Sequence, residues 1–313
     1  MEYVLNGQEL STCMIGTWSW GPGNNGSKMV FGQSFTQEQL KETFDTAYNL
    51  GFNFWDTAEV YGMGTSEQIL GECIKDKDNV IISTKHMPGG RYSDGENRRA
   101  IEGSLARIGI SSIDLYWLHS PKNVAKNMEE LAQCQKDGLI KSIGLSNGSV
   151  EQIKIAQETL AKYDIKLAAI QNHYSLLAMD REEEVRKYCM EKGILFFGYM
   201  LLEQGALSGH YDYKHHFETF SMRGLSFGKG KFKKIDNLLQ YMRKLAEKYD
   251  VDPSQIPIAW AINKGIIPIV GMNKARHAEP LSKGIKLELA QAEIDSLEEL
   301  ARNSGVKCKG IWE

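Results

Sequence analysis

Four side chains that can carry or hold a proton lie near the ends of short apolar segments. Asp56, Lys85 and His119 each follow such a segment, and Tyr61 lies on the loop behind Asp56. Brought together, these residue types suit proton transfer to or from a substrate oxygen. Lys85 beside Tyr61 would lower the pKa of the phenol from its usual value of about 10, and Asp56 would keep the lysine charged and in place. The spacing therefore predicts a proton-transfer site, provided that the fold brings the segment ends together.

The elements that must position these residues alternate along the chain. Short apolar segments predict eight strands, at 14–16, 52–55, 80–83, 113–118, 140–144, 167–170, 194–197 and 267–270. Apolar residues at three- and four-residue spacing predict amphipathic helices between them, at 37–49, 98–108, 128–136, 152–162 and 181–191. Glycines at 51, 138, 193 and 265 stand just before the next strand, where they would end the preceding helices.

This alternation predicts a single α/β domain over residues 1–313, folded as a closed (β/α)8 TIM barrel. Asn6-Gly7 between apolar stretches predicts an N-terminal β-hairpin that caps one end. The stretch 205–230 interrupts the alternation and predicts a long loop after strand 7. The alternative is an open doubly wound sheet, but the first turn, 18–23, lacks the G-x-G-x-x-G pattern of dinucleotide-binding sheets.

Composition excludes several classes of protein. The chain has 313 residues, 42% of them hydrophobic and 25% charged, which is typical of a globular protein and not of a disordered one. A net charge of −3 argues against nucleic acid as the main partner, and no apolar run approaches the length of a membrane span. Five widely spaced cysteines and no signal-like start predict a cytoplasmic protein with reduced thiols.

Several motifs together resemble the aldo-keto reductase family. They are G-F-N-F-W-D-T-A-E-V-Y-G at 51–62, S-E-x-x-L-G at 66–71, I-S-T-K at 82–85, I-D-L-Y-W-L-H-S-P at 113–121 and I-G-L-S-N at 143–147. The resemblance runs in family order over essentially the whole chain. It implies a single barrel that binds NADPH, with NADH also possible, and reversibly reduces an aldehyde or ketone to an alcohol.

Roles follow from this resemblance position by position. Tyr61 becomes the general acid that protonates the carbonyl oxygen, Asp56 and Lys85 tune it, and His119 orients the carbonyl or relays the proton. A donor at that oxygen would stabilise the transition state more than the ground state.

The resemblance also implies a set of cofactor-binding residues. Those around the nicotinamide are Ser146, Asn147, Gln171 and the stacking ring of Tyr199, and those around the adenosine phosphates are Gly271, Asn273, Lys274, Arg276 and Glu279. The chain departs from the family at Tyr199-Met200-Leu201-Leu202, where Y-x-P-L is common. It also has Gly148 where an aromatic is usual, a change predicted only to loosen packing.

Two other functions compete with this interpretation. A metal-dependent barrel hydrolase or isomerase would use Asp56, Glu59, His86 and His119, but no H-x-H or H-E-x-x-H spacing is present and Lys85 would repel the ion, so no metal is predicted. The second is a nucleotide-binding, redox-sensing regulatory subunit on the same barrel, which the motifs do not exclude.

The substrate pocket is predicted from residues on the barrel loops. Its lining would include Trp18, Trp20, Met87, Tyr92, Pro121, the stretch after Gly205 and Ile311-Trp312. This aromatic and sulfur-rich lining favours an apolar or bulky carbonyl or alcohol substrate. The oligomeric state stays open.

Overall fold

The computed structural model describes residues 3–21 and 32–309. Eight parallel strands close into a barrel. Their bounds are β3 Met14–Gly16, β4 Phe54–Asp56, β5 Ile81–His86, β6 Leu115–Leu118, β7 Ile143–Ser146, β8 Leu167–His173, β9 Leu195–Tyr199 and β10 Ile267–Gly271. Around the barrel they lie in the order β10-β3-β4-β5-β6-β7-β8-β9. The predicted (β/α)8 barrel is confirmed, and the open doubly wound alternative is wrong because β10 pairs with β3.

Strand ends differ from the sequence-based bounds by a few residues. The strand predicted over 140–144 is regular only at Ile143–Ser146, and Ile140 pairs with Ile113 through an isolated bridge outside it. The shift moves the carboxyl end of β7 to Ser146, which is the end where a barrel builds its ligand site.

Helices cover the outside of the barrel. They are α1 Gln37–Asn49, α2 Thr65–Ile74, α3 Glu96–Ile108, α4 Val124–Lys136, α5 Val150–Ala161, α6 Met179–Lys192, α7 Met222–Ser226, α8 Lys229–Lys234, α9 Asp236–Tyr249, α10 Gln255–Asn263, α11 Ala278–Gly284 and α12 Gln291–Asn303. Thr36 begins α1 with a capping box, in which its side chain accepts from the Gln39 amide and the Gln39 side chain accepts from the Thr36 amide. Gly193 ends α6 in the left-handed conformation, as predicted.

The predicted hairpin closes the amino-terminal end of the barrel. Strands β1 Tyr3–Leu5 and β2 Gln8–Leu10 pair antiparallel, and Asn6 and Gly7 both have positive φ, as a tight hairpin turn requires. The Asn6 side chain donates to the Asp114 carbonyl at 3.1 Å and accepts from the Ser142 hydroxyl at 2.7 Å. Both partners precede barrel strands, so the hairpin lies opposite the end where the strands terminate.

Large aromatic side chains fill the inside of the barrel. Trp117 and Phe197 meet edge to face at 5.5 Å, and Phe54 contacts the same Phe197 ring at 5.7 Å. Gly144 makes room for Trp117, because a Cβ there would lie 2.2 Å from the Trp117 Cε3 atom. The interior is therefore a packed core, as expected for a barrel of this kind.

The long segment after β9 is also confirmed. It contains the 3-10 turn Glu203–Gly205 and the short helices α7 and α8 before α9 begins. Phe217, Phe227 and Phe232 form an aromatic cluster within it, with Phe232 at 5.3 and 4.8 Å from the other two rings. No helix in the described ranges is both long enough and apolar enough to cross a membrane.

Candidate active site

The four predicted proton-transfer residues come together at the carboxyl end of the barrel. Asp56 is the last residue of β4, Lys85 lies in β5, His119 directly follows β6, and Tyr61 begins the 3-10 turn Tyr61–Gly64. Asp56, Tyr61 and His119 line a cavity of about 230 Å³. Lys85 is buried behind that wall.

Lys85 and Asp56 form a buried ion pair. The Lys85 ammonium donates to the Asp56 carboxylate and, at 3.0 Å, to the Thr57 carbonyl. Asp56 also accepts from the Ser83 hydroxyl at 2.7 Å. Burial lowers the pKa of Lys85, while the Asp56 charge opposes that change. The expectation that Asp56 holds the lysine in place is confirmed.

The predicted lowering of the Tyr61 pKa is wrong in this structure. Burial raises the pKa of the Tyr61 phenol well above its usual value, and the negative charge of Asp56 raises it further. Lys85 does approach the ring, with its nitrogen 5.0 Å from the centroid, but its charge is matched by Asp56. Tyr61 therefore stays protonated at neutral pH, which is the state that a proton donor needs.

His119 is a neutral imidazole at neutral pH. Burial lowers its pKa well below the usual value of histidine, and the positive charges of Lys85 and His86 lower it further. A neutral ring offers one N–H donor and one acceptor nitrogen. His119 can therefore orient a carbonyl group by a hydrogen bond without adding charge to the cavity.

A polar wall lies beside this group. Ser146, Asn147, Gln171 and Tyr199, the four predicted nicotinamide residues, all line the cavity. The Tyr199 hydroxyl donates to the Asn147 side-chain oxygen at 2.6 Å, and the Asn147 amide donates to the His119 carbonyl at 3.2 Å. The Gln171 amide donates to Asp56 at 3.4 Å. These bonds connect the wall to the proton-transfer group.

The predicted phosphate-binding residues divide into two sets. Gly271 and Asn273 line the cavity, whereas Lys274, Arg276 and Glu279 do not. Arg276 is exposed and lies in the 3-10 turn Ala275–His277, one turn before α11 rather than in the helix itself.

Only part of the predicted substrate lining is correct. Trp18 lines the cavity, but the predicted stretch after Gly205 does not, because Gly205 itself is the last residue of the long segment to reach it. Trp20 does not, because it is fully buried against Trp55 and donates to the Met272 carbonyl at 2.7 Å. Three other predicted residues, Met87, Tyr92 and Pro121, are absent from the lining. Residues 311–312 lie outside the described ranges.

Apolar residues that sequence reasoning missed complete the cavity. Leu201, Leu202 and Ile269 line it, together with Met200. Met200 has a φ of 60°, so the chain turns sharply one residue before Leu201, which stands at the position of the family proline. In the sequence, an apolar residue at a strand end has the pattern of a core residue. No signal there distinguishes a residue that lines the cavity from one that packs in the core.

Gly148 does not loosen the packing as predicted. A Cβ at this position would lie 2.7 Å from Leu145 Cδ2, so the space beside Gly148 is already filled. Within the described residues, no group of three or more His, Cys, Asp or Glu side chains could hold a metal ion.

Comparisons with known proteins agree with this geometry. The sequence model of the aldo/keto reductase family matches residues 13–302. The chain is 29% identical over 310 residues to the chloroplastic pyridoxal reductase of Arabidopsis thaliana, covering 93% of this chain and 83% of that protein. It is also 29% identical over 308 residues to an NADP(+) aldo-keto reductase of Schizosaccharomyces pombe, covering 91% of this chain and 89% of that protein.

Solved structures share the fold. A glycerol dehydrogenase from Gluconobacter oxydans superposes with a TM-score of 0.83 at 23% identity, over 99% of this chain and 98% of that chain. An aldo/keto reductase from Klebsiella pneumoniae, solved with NADP and acetate, gives 0.72 at 21% identity, over 93% and 92% of the two chains. Because the family match spans almost the entire barrel, this chain belongs to the aldo/keto reductase family.

Proposed function

We propose that this protein, as one domain over residues 1–313, is an NADPH-dependent oxidoreductase that reduces an aldehyde or ketone to an alcohol, reversibly. The observation that carries the proposal is the cavity at the barrel end, whose wall combines the protonated phenol of Tyr61 with the neutral imidazole of His119. Family membership supports the reaction class. The similar Schizosaccharomyces pombe protein carries NADP(+) in its name, which supports the choice of cofactor.

Tyr61 acts as the proton donor to the carbonyl oxygen. Negative charge develops on that oxygen as reduction proceeds, so a donor placed there lowers the barrier. The raised pKa of Tyr61 keeps the phenol protonated before the reaction. His119 donates a second hydrogen bond to the same oxygen and orients it. Asp56 and Lys85 hold each other in place beside Tyr61 through their ion pair.

The residues beside this group fit a nicotinamide. Asn147 and Gln171 present side-chain amides on the cavity wall, and such amides pair well with a carboxamide. The half-buried Tyr199 ring faces the same cavity and is held by its bond to Asn147, so it offers a fixed surface for stacking. Ser146, Asn147, Gln171 and Tyr199 would therefore hold the ring. NADPH supplies the hydride when it is bound.

The adenosine end of the cofactor is assigned to the segment after β10. Gly271 and Asn273 begin at the cavity, and Lys274, Arg276 and Glu279 continue outside it. Arg276 is exposed and can hold the cofactor's 2′-phosphate through a planar guanidinium, with Lys274 as a second cation. We therefore propose that NADPH binds more tightly than NADH.

The cavity walls favour an apolar or bulky carbonyl substrate. Trp18, Leu201, Leu202 and Ile269 supply apolar surface around the polar group. Trp18 stacks on Tyr61 with 6.1 Å between ring centroids, so a substrate at the phenol also meets an aromatic ring. Burying apolar surface of the substrate against this wall makes a favourable contribution to the free energy of binding.

A cofactor-oxidation screen tests the proposal. The protein is mixed with NADPH or NADH and a panel of aldehydes, quinones, bulky ketones and sugars, and loss of reduced cofactor is followed by absorbance. We expect turnover with aromatic or bulky carbonyls and a preference for NADPH. Tight NADPH binding without turnover on any carbonyl would instead favour the regulatory role.

A further inference from the structure

A second cavity adjoins the candidate active site. It has a volume of about 70 Å³ and lies under the long segment after β9. Met200 and Gln204 line both cavities, so the two cavities are neighbours. Neither the proposed reaction nor the proposed cofactor contacts uses this space.

Cationic side chains surround the second cavity. Arg223 and Lys231 line it, and Lys309 contributes a third positive charge. The Arg223 guanidinium lies 4.5 Å from the Phe217 ring centroid, and the Lys231 ammonium lies 5.6 Å from that of Phe227. The cavity thus has cations fixed against aromatic rings.

These cations are held by neutral groups instead of carboxylates. Arg223 donates to the Gln204 carbonyl at 3.5 Å, and Lys231 donates to the Ser226 carbonyl at 2.7 Å. Within the part of the chain that the structure describes, neither forms a salt bridge. A guanidinium has five N–H donors, so most of those on Arg223 stay available to an anion.

Among the residues that the structure describes, Glu203 is the one carboxylate that lines this cavity, and it is already hydrogen-bonded. Glu203 accepts from the His173 imidazole at 2.7 Å and from the Ser175 hydroxyl, and all three side chains are buried. In the described part of the lining, three cations therefore face one carboxylate, whose Oε1 atom accepts from two buried groups. Such a balance favours a negatively charged ligand.

We propose that the second cavity binds an anionic group, a carboxylate or a phosphate, at the far end of the substrate. The inference rests on the proposed carbonyl reduction and narrows its substrate class. The substrate is a carbonyl compound with an apolar body, bound in the first cavity, and an anionic tail that Arg223 and Lys231 recognise. Arginine pairs with both carboxylate and phosphate through parallel N–H donors, while the lysine adds a point charge.

Matched substrates test the proposal with the full-length protein and NADPH. The first pair is para-formylbenzoate and its neutral methyl ester, and para-formylphenyl phosphate distinguishes a phosphate from a carboxylate preference. A series of ω-oxo carboxylates of increasing length, each with its methyl ester, finds the chain that spans both cavities. We expect the KM of at least one anionic aldehyde to be about tenfold or more below that of its ester, which corresponds to one hydrogen bond to a charged group.

Substitutions then locate the effect. Arg223→Met should raise the KM of the preferred anionic aldehyde about tenfold to hundredfold, and Lys231→Met should raise it by a smaller factor. The KM of the ester and the Kd of NADPH should change much less. Lys229→Met is the matched control, since Lys229 is exposed on the same helix as Lys231 but does not line the cavity.

The outcomes separate this inference from the proposed function. Reduction of the esters with no advantage for any anionic aldehyde would overturn the anion site alone. A weaker Kd for NADPH in Arg223→Met, with unchanged KM values for aldehydes, would assign the cavity to the cofactor and also overturn it. Failure to reduce any aldehyde would overturn the proposed function itself.

Discussion

Removing the Tyr61 hydroxyl is the substitution with the clearest expected result. Tyr61→Phe keeps the ring, which is 8% exposed and packed between Trp18 and Lys85. General acid catalysis contributes about 10²–10⁴ to a rate, or about 2.7–5.5 kcal/mol. His119 is neutral and therefore a weak replacement acid, so we expect a loss near the upper end of that range.

Single-turnover reduction of an aromatic aldehyde measures this loss directly. The Kd of NADPH, followed by quenching of tryptophan fluorescence, should stay within about twofold because no cofactor contact is assigned to the phenol. Tyr48→Phe is the matched control, since it removes the hydroxyl of a tyrosine on α1, away from the cavity. Near-parental turnover in Tyr61→Phe would refute the assignment of the proton donor.

The raised pKa of Tyr61 adds a prediction about pH for the same residue. Reduction needs the protonated phenol, which persists below its folded pKa, so its rate should stay level from neutrality to about pH 9. Oxidation of the alcohol needs the phenolate, so its kcat/KM should keep rising through the same range. A plateau of the oxidation rate near neutral pH would show that the phenol has a lowered pKa in the working enzyme.

Three further substitutions test the supporting structure. Lys85→Met should cost about 3–5 kcal/mol in the free energy of unfolding, because it leaves Asp56 buried without its cation, and adding Asp56→Asn should recover part of that loss in urea titrations. Equal stability of the single and double variants would argue against the pair. Arg276→Met should weaken NADPH binding by about 1.5–3 kcal/mol and NADH binding much less, measured by fluorescence titration beside the control Lys286→Met, which changes an exposed lysine outside the assigned cofactor residues. Equal losses for both cofactors would show that Arg276 contacts something other than the 2′-phosphate. Gly144→Ala should destabilise the fold by about 1–3 kcal/mol or more, since the added Cβ would lie 2.2 Å from Trp117. Gly230→Ala is the control, because its Cβ meets no atom within 4 Å and alanine is favoured in a helix, so its melting temperature should be unchanged or slightly raised.

The barrel could be predicted because its signals are local. Each strand is a short apolar segment, and glycines such as Gly193 stop the helices between them, so alternation and order can be read along the chain. The meeting of Asp56 and Lys85 followed from the rule that parallel strands end on one face of a barrel. The family resemblance then identified the residues of the polar wall, Ser146, Asn147, Gln171 and Tyr199.

The remaining features depend on the three-dimensional environment. The pKa of Tyr61 is set by burial and by the balance between Asp56 and Lys85, and the sequence does not reveal how much water the phenol loses. Trp20 and Trp18 are two residues apart, yet one is core and the other lines the cavity. The cations of the second cavity come from a long irregular segment, where no periodic pattern predicts which side chains converge.

The most direct test of the central claim follows the hydride itself. The protein is incubated with NADPH deuterated at the transferred position of its nicotinamide ring and with an aromatic aldehyde, and the alcohol is analysed by mass spectrometry. Carbonyl reduction at this site predicts that the alcohol carries deuterium on the former carbonyl carbon and that Tyr61→Phe forms it far more slowly. An alcohol without deuterium, or labelled alcohol formed equally fast by Tyr61→Phe, would contradict the account.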